Sequence, residues 1–133
     1  MSAPVGIVPA VIVIDDEALL RWAVAESLTA VGFSVCQGAS AADALRCLET
    51  AASSPLVIVL DLKLPDSHDL SLARRCMTER PDAPVIIMTA HGSAQDRAEA
   101  ESAGVFKFIQ KPFDLSEMTA VVRAAARVSF PKA

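Results

Sequence analysis

Five short apolar runs punctuate the chain: VIVI (11–14), FSVC (33–36), LVIVL (56–60), VIIM (85–88) and VFKFI (105–109). Each has the length of a strand and is rich in β-branched or aromatic residues. Being apolar throughout instead of alternating, they predict strands buried on both faces. The intervening segments carry the helical period. In the first, Leu20, Val24, Ser27, Leu28 and Val31 share one face, and Gly32 supplies a C-terminal stop. Ser40 stands as an N-cap ahead of AADALRCLET, with Asp43 three residues on as the reciprocal acid. A third helix is expected over about 70–79 before Pro81, and a fourth over about 94–103 closed by Gly104. The fifth is DLSEMTAVVRAAARV, opened by Asp114 and Glu117.

Strict alternation of strand and helix calls for a parallel sheet covered by helices on both faces. Five strands in this length favour the order 2-1-3-4-5, the flavodoxin-like doubly wound α/β fold, with ligands bound outside the carboxyl ends of the strands. At 133 residues the chain suits a single domain, 1–133, with its core over about 11–128 and residues 1–10 as an ordered lead into the first strand.

Composition narrows the function. Five Phe, one Trp and no Tyr leave an aliphatic core in a chain that is 53% hydrophobic, with Trp22 and Phe33 expected as packing residues. The net charge of -4 and the scattered Lys and Arg provide no basic stripe, so direct nucleic-acid binding is not expected. No run approaches the roughly 20 apolar residues of a membrane span. Cys36, Cys47 and Cys76 are odd in number and lack CxxC spacing, which argues for reduced thiols acting as small core hydrophobes in a cytoplasmic protein.

The fold brings together residues that follow different strands. Asp15 and Asp16 follow the first, Asp61 ends the third, Thr89 and Ala90 follow the fourth, and Lys111 and Pro112 follow the fifth. Converging carboxylates repel unless a cation lies between them. The simplest such cation is Mg²⁺, a hard ion that takes oxygen ligands: Asp16 and Asp61 directly, Asp15 directly or through water, and the backbone carbonyl of Lys63. With that charge cancelled, Asp61 can act as a nucleophile toward a phosphoryl group, while Lys111 and the Thr89 hydroxyl stabilise the phosphoryl oxygens.

The acid pair DD at 15–16, DLKLP with Pro65 four residues past Asp61, MTA at 88–90 and KPF at 111–113 resemble, in order and spacing, the receiver domain of bacterial two-component response regulators. LLRW, VIIMTAH and QKPFDL resemble its NtrC-like branch. The resemblance implies that Asp61 accepts a phosphoryl group from a sensor histidine kinase and that the chain catalyses only its own phosphorylation and dephosphorylation. Thr89 and Phe108 would be the switch residues that remodel the surface around the fourth helix and fifth strand, while Lys63 and His91 flank the phosphoryl group. It also implies a cis bond at Lys111-Pro112, and either a receiver from a longer parent chain with output ATPase and DNA-binding domains or a single-domain regulator. AQDRAEAESA, the fourth helix, is polar, so any homodimer formed on phosphorylation is expected to be weak in the unmodified protein. The chain departs from the family at Asp69, where Gly is usual, with His68 before it; a different loop shape is expected there.

Two other functions fit parts of the pattern. A Mg²⁺-dependent phosphohydrolase of the haloacid-dehalogenase type also uses a strand-end Asp, but it needs an acid two residues on, where Lys63 stands. A degenerate docking module would not retain the acid, Thr and Lys set. His68 and His91 lack partner ligands at metal-site spacing and read as solvated loop residues.

Overall fold

The computed structural model describes residues 8–52 and 54–129. The elements run β1 (Ala10–Ile14), α1 (Ala18–Ala30), β2 (Ser34–Gly38), α2 (Ala41–Thr50), β3 (Leu56–Asp61), α3 (Ser71–Glu79), β4 (Val85–Thr89), α4 (Ala94–Ala103), β5 (Lys107–Gln110) and α5 (Leu115–Ser129). The sheet strands pair in parallel and the order is β2-β1-β3-β4-β5, as expected. Most of the expected lead-in, residues 1–7, lies outside the described residues.

Side-chain parity builds the layers. Val11, Val13, Val57, Val59, Ile86 and Met88 pack on one side with Val24 and Leu28 of α1 and Met118 and Val122 of α5. Ile12, Ile14, Ile58, Leu60 and Ile87 pack on the other with Leu48 of α2, Ala73 of α3 and Ala100 of α4. With both faces covered, every residue of β3 and β4 is buried, which is why their sequences do not alternate. Among the described residues no helix is long and apolar enough to cross a membrane.

Boundaries moved where packing overrode pattern. β2 runs to Gly38 rather than stopping at Cys36, because its register with β1 pairs Gln37 with Val13 and Gly38 with Ile14; an edge strand tolerates such residues. A Cβ at Gly38 would collide with Asp43, so glycine is required by close approach. β5 begins only at Lys107, because Val105 is taken by the turn after Gly104, whose φ is +97°, and donates to the Ala100 carbonyl. Val31 and Trp22 are exposed rather than packed: Val31 is the C-cap beyond the buried stripe of α1, and Trp22 lies on its outer face. Phe33 is half-buried against the α1–α5 layer, as expected.

The cap of α2 is shared more widely than the sequence indicated. Ser40 accepts from the Asp43 amide at 3.1 Å, and the Asp43 carboxylate accepts from Ala39 at 2.8 Å. Asp66, from the loop after β3, accepts from the amides of Ala41 and Ala42 at 2.7 and 3.2 Å. These amide bonds hold both carboxyls below the usual carboxylate range. α4 carries the complete capping box, Ser93 with Asp96.

The expectation of three reduced thiols is corrected. Cys36 on β2 and Cys47 on α2 form a disulfide, with Cα atoms 5.9 Å apart, and only Cys76 is free. Eleven residues of sequence gave no sign of the pair, because a bridge needs Cα atoms about 4.4–6.8 Å apart, a distance set here by α2 folding back on β2. Cys76 does behave as a core hydrophobe; burial raises its thiol to about 11. Alkylation is expected to label no cysteine in the native protein, Cys76 alone after denaturation, and all three after reduction, read by intact mass. Three labels on the denatured, unreduced chain would exclude the bridge.

Candidate functional site

The carboxyl ends of β1, β3 and β5 deliver four charged side chains to one place. Asp15 follows β1 and is wholly buried; Asp61 ends β3 at 7% exposure. Lys111 follows β5, and its cis bond to Pro112 is present, as the resemblance implied. The Lys111 ammonium lies 2.8 Å from Asp15 Oδ2, 2.8 Å from Asp61 Oδ2 and 2.8 Å from Glu17 Oε1. One cation therefore faces three carboxylates.

Local hydrogen bonds fix this group. Asp15 Oδ1 accepts from the Glu17 amide at 2.9 Å, and Asp61 Oδ1 accepts from the Lys63 amide at 3.0 Å. The Arg21 guanidinium donates to the Asp15 carbonyl at 2.7 Å, anchoring the β1–α1 loop from the first helix. The backbone amide of Lys111 donates to the Thr89 carbonyl at 2.8 Å, which ties the end of β5 to β4. Burial raises the pKa of Asp15 against the opposing pull of Lys111. Burial also pulls on Lys111, in the direction of neutrality, but the ion pairs with Asp15, Asp61 and Glu17 outweigh it and raise the ammonium's pKa.

The carboxylates fit a hard divalent cation. Asp15, Asp16 and Asp61 each offer an oxygen within 4.8 Å of the others, with Asp16 exposed at the mouth. Asp15 Oδ2, though close to Lys111, is buried without an aligned hydrogen bond, so an acceptor remains unsatisfied inside the cluster. Oxygen-only donors around an open mouth suit Mg²⁺.

The other expected site residues flank the cluster. Thr89 is wholly buried at the end of β4, next to Met88, which pairs with Asp61, and its hydroxyl accepts from the His91 amide at 3.3 Å. Lys63 and His91 are exposed on the two flanking loops, with Lys63 Nζ turned to the His68 carbonyl at 3.4 Å. Phe108 is buried on β5, with the Arg97 guanidinium 5.0 Å from its ring centroid. A Cβ at Gly92 would lie 2.5 Å from the Phe108 ring and 2.7 Å from the Thr89 methyl, so the loop after β4 touches both residues. Asp69 needs no glycine-like backbone: no described residue other than Gly has positive φ. Its carboxylate accepts from the Ser71 amide and hydroxyl at 2.9 and 2.6 Å, at the start of α3.

Sequence reasoning assigned no role to Glu17, Arg21 or Gly92. Glu17 was visible as the third acid of the run DDE, but its link to Lys111 spans 94 residues.

A doubly wound sheet with a lysine and carboxylates gathered at its carboxyl edge defines a class of phosphoacceptor signalling domains. The family model for the response regulator receiver domain matches residues 11–123, and the chain belongs to that family. The DNA-binding transcriptional regulator NtrC of Klebsiella pneumoniae is 34% identical over 113 residues, covering 85% of this chain and 24% of that protein. The transcriptional regulatory protein KdpE of Mycobacterium tuberculosis is 37% identical over 120 residues, covering 88% of this chain and 50% of that protein. The chain thus spans about a quarter of the length of its NtrC relatives. A CheY-like receiver domain from Methanospirillum hungatei superposes with a TM-score of 0.83 at 20% identity, over 92% of this chain and 96% of that one, a likeness of fold. Receiver domains of two-component response regulators are phosphoacceptors and bind Mg²⁺ at an acidic pocket, and this chain is such a domain.

Proposed function

We propose that Asp61 is the phosphoacceptor, taking its phosphoryl group from a sensor histidine kinase. The observation that carries this is the Lys111 ammonium held 2.8 Å from both Asp61 and Asp15, across three strands. Asp61 attacks through a carboxylate oxygen; an O–P bond forms as the donor's P–N bond breaks, and the electron pair leaves with the imidazole. Lys111 offsets charge on the phosphoryl oxygens, and Thr89 turns its hydroxyl toward them. Asp15, Asp16, Asp61 and the Lys63 carbonyl would hold Mg²⁺, which supplies further positive charge for those oxygens.

Phe108 follows Thr89 as the second switch residue; its contact with Gly92, which also touches Thr89, supports this coupling. The changed surface around α4 and β5 then controls an output, by analogy with NtrC a transcriptional one. ATPase and DNA-binding domains of a longer parent chain would deliver it. Residues 1–133 form one receiver domain, with self-dephosphorylation tuned by Lys63 and His91 and only a weak homodimer formed on phosphorylation. Among described residues α4 buries only Ala100, which supports a polar, weakly associating surface. Against a phosphohydrolase stands Lys63, exposed and bonded to a carbonyl where a general acid would be needed.

Intact mass after acetyl phosphate tests the proposal. With Mg²⁺ the protein is expected to gain one phosphoryl group; without Mg²⁺, or in Asp16→Asn, the gain should drop to a small fraction. Equal labelling in all three would refute the metal assignment.

A further inference from the structure

The three carboxylates around Lys111 differ in how easily each is released. Lysine has three N–H donors, and Asp15, Asp61 and Glu17 all stand 2.8 Å from the nitrogen. Its hydrogen bonds are aligned to Asp61 and Glu17, while Asp15 Oδ2 touches the ammonium without one, so three carboxylate oxygens already crowd the nitrogen and an incoming phosphoryl oxygen must displace one of them. Nearby basic groups are turned elsewhere: Arg21 to the Asp15 carbonyl and Lys63 to the His68 carbonyl. One of the three contacts must open.

Asp15 is fully buried and would lose its main counter-charge. Asp61 is the group being modified. Glu17 is 59% exposed, so water can solvate its carboxylate as soon as it lets go. Given the phosphoacceptor role of Asp61, on which this rests, we propose that Glu17 is the partner Lys111 releases when a phosphoryl oxygen arrives. Glu17 is then a positioning residue acting through Lys111: it parks the ammonium at the mouth of the site and competes with the phosphoryl group for it. This makes the third acid of DDE a determinant of how tightly the site holds an anion.

Beryllium trifluoride, a phosphoryl mimic, tests this by calorimetric titration in saturating Mg²⁺. Glu17→Gln is expected to tighten binding about two- to fivefold, the worth of one partly exposed ion pair. Glu17→Asp keeps the charge but is one methylene too short to reach Lys111, and is expected to tighten binding to the same degree. Unchanged or weaker binding by Glu17→Gln overturns the inference. So does tightening in Glu17→Gln alone, which would reduce the effect to charge acting through space. A wild-type protein that binds no beryllium trifluoride would sink the phosphoacceptor assignment itself, and this inference with it. Melting temperatures should stay close to wild type in both variants, since an exposed pair contributes little to folding.

Discussion

Asp61→Asn is expected to abolish labelling by acetyl phosphate while leaving the fold in place. The amide occupies the same volume but is not a nucleophile, so no acyl phosphate can form at this position. Two opposing effects keep the variant folded. The Lys111 ion pair at 2.8 Å is weakened, and the repulsion between Asp61 and buried Asp15 is relieved. The melting temperature should therefore shift by no more than about 5 °C. Intact mass reads the labelling and thermal unfolding reads the fold. Persistent labelling of a folded variant would move the acceptor elsewhere.

Lys111→Met is expected to produce the largest loss of stability, about 3 kcal/mol in the absence of Mg²⁺. The Lys111 side chain is only 7% exposed, and its removal strands wholly buried Asp15 and nearly buried Asp61 as neighbouring anions without a counter-charge. Mg²⁺ binds the folded state and should recover part of the loss. Chemical denaturation with chelator and with Mg²⁺ checks both parts, and an unchanged midpoint would show that Lys111 does not neutralise the cluster.

The same lysine sets a pH dependence. Its folded pKa lies above the ordinary value of 10.5, so between the two the folded state binds more protons than the unfolded chain. Its contribution is fully present below pH 10.5 and is lost as pH rises through the folded value. The metal-free wild type should thus show an alkaline decline in stability that Lys111→Met lacks. Asp15 has the same sign at lower pH. Half-buried Asp43 and exposed Asp66, Asp69 and Asp82, held below the usual carboxylate range, have the opposite sign, so the alkaline limb is the readable one.

What the sequence determined by itself was the alternation of elements and, through it, the sheet order and the meeting of Asp15, Asp16, Asp61 and Lys111. Those features are local: a run such as LVIVL is apolar because both its faces are covered, and a residue that ends a parallel strand arrives at the carboxyl edge whatever else the chain does. Tertiary structure alone decided which donors and acceptors pair. Lys111 reaches Glu17 across 94 residues, Asp66 caps a helix begun 25 residues earlier, and Cys36 meets Cys47 only because α2 packs on β2. The physical reason is range: periodicity reports which face a residue takes, whereas a hydrogen bond or disulfide depends on distances of a few ångströms that no pattern encodes.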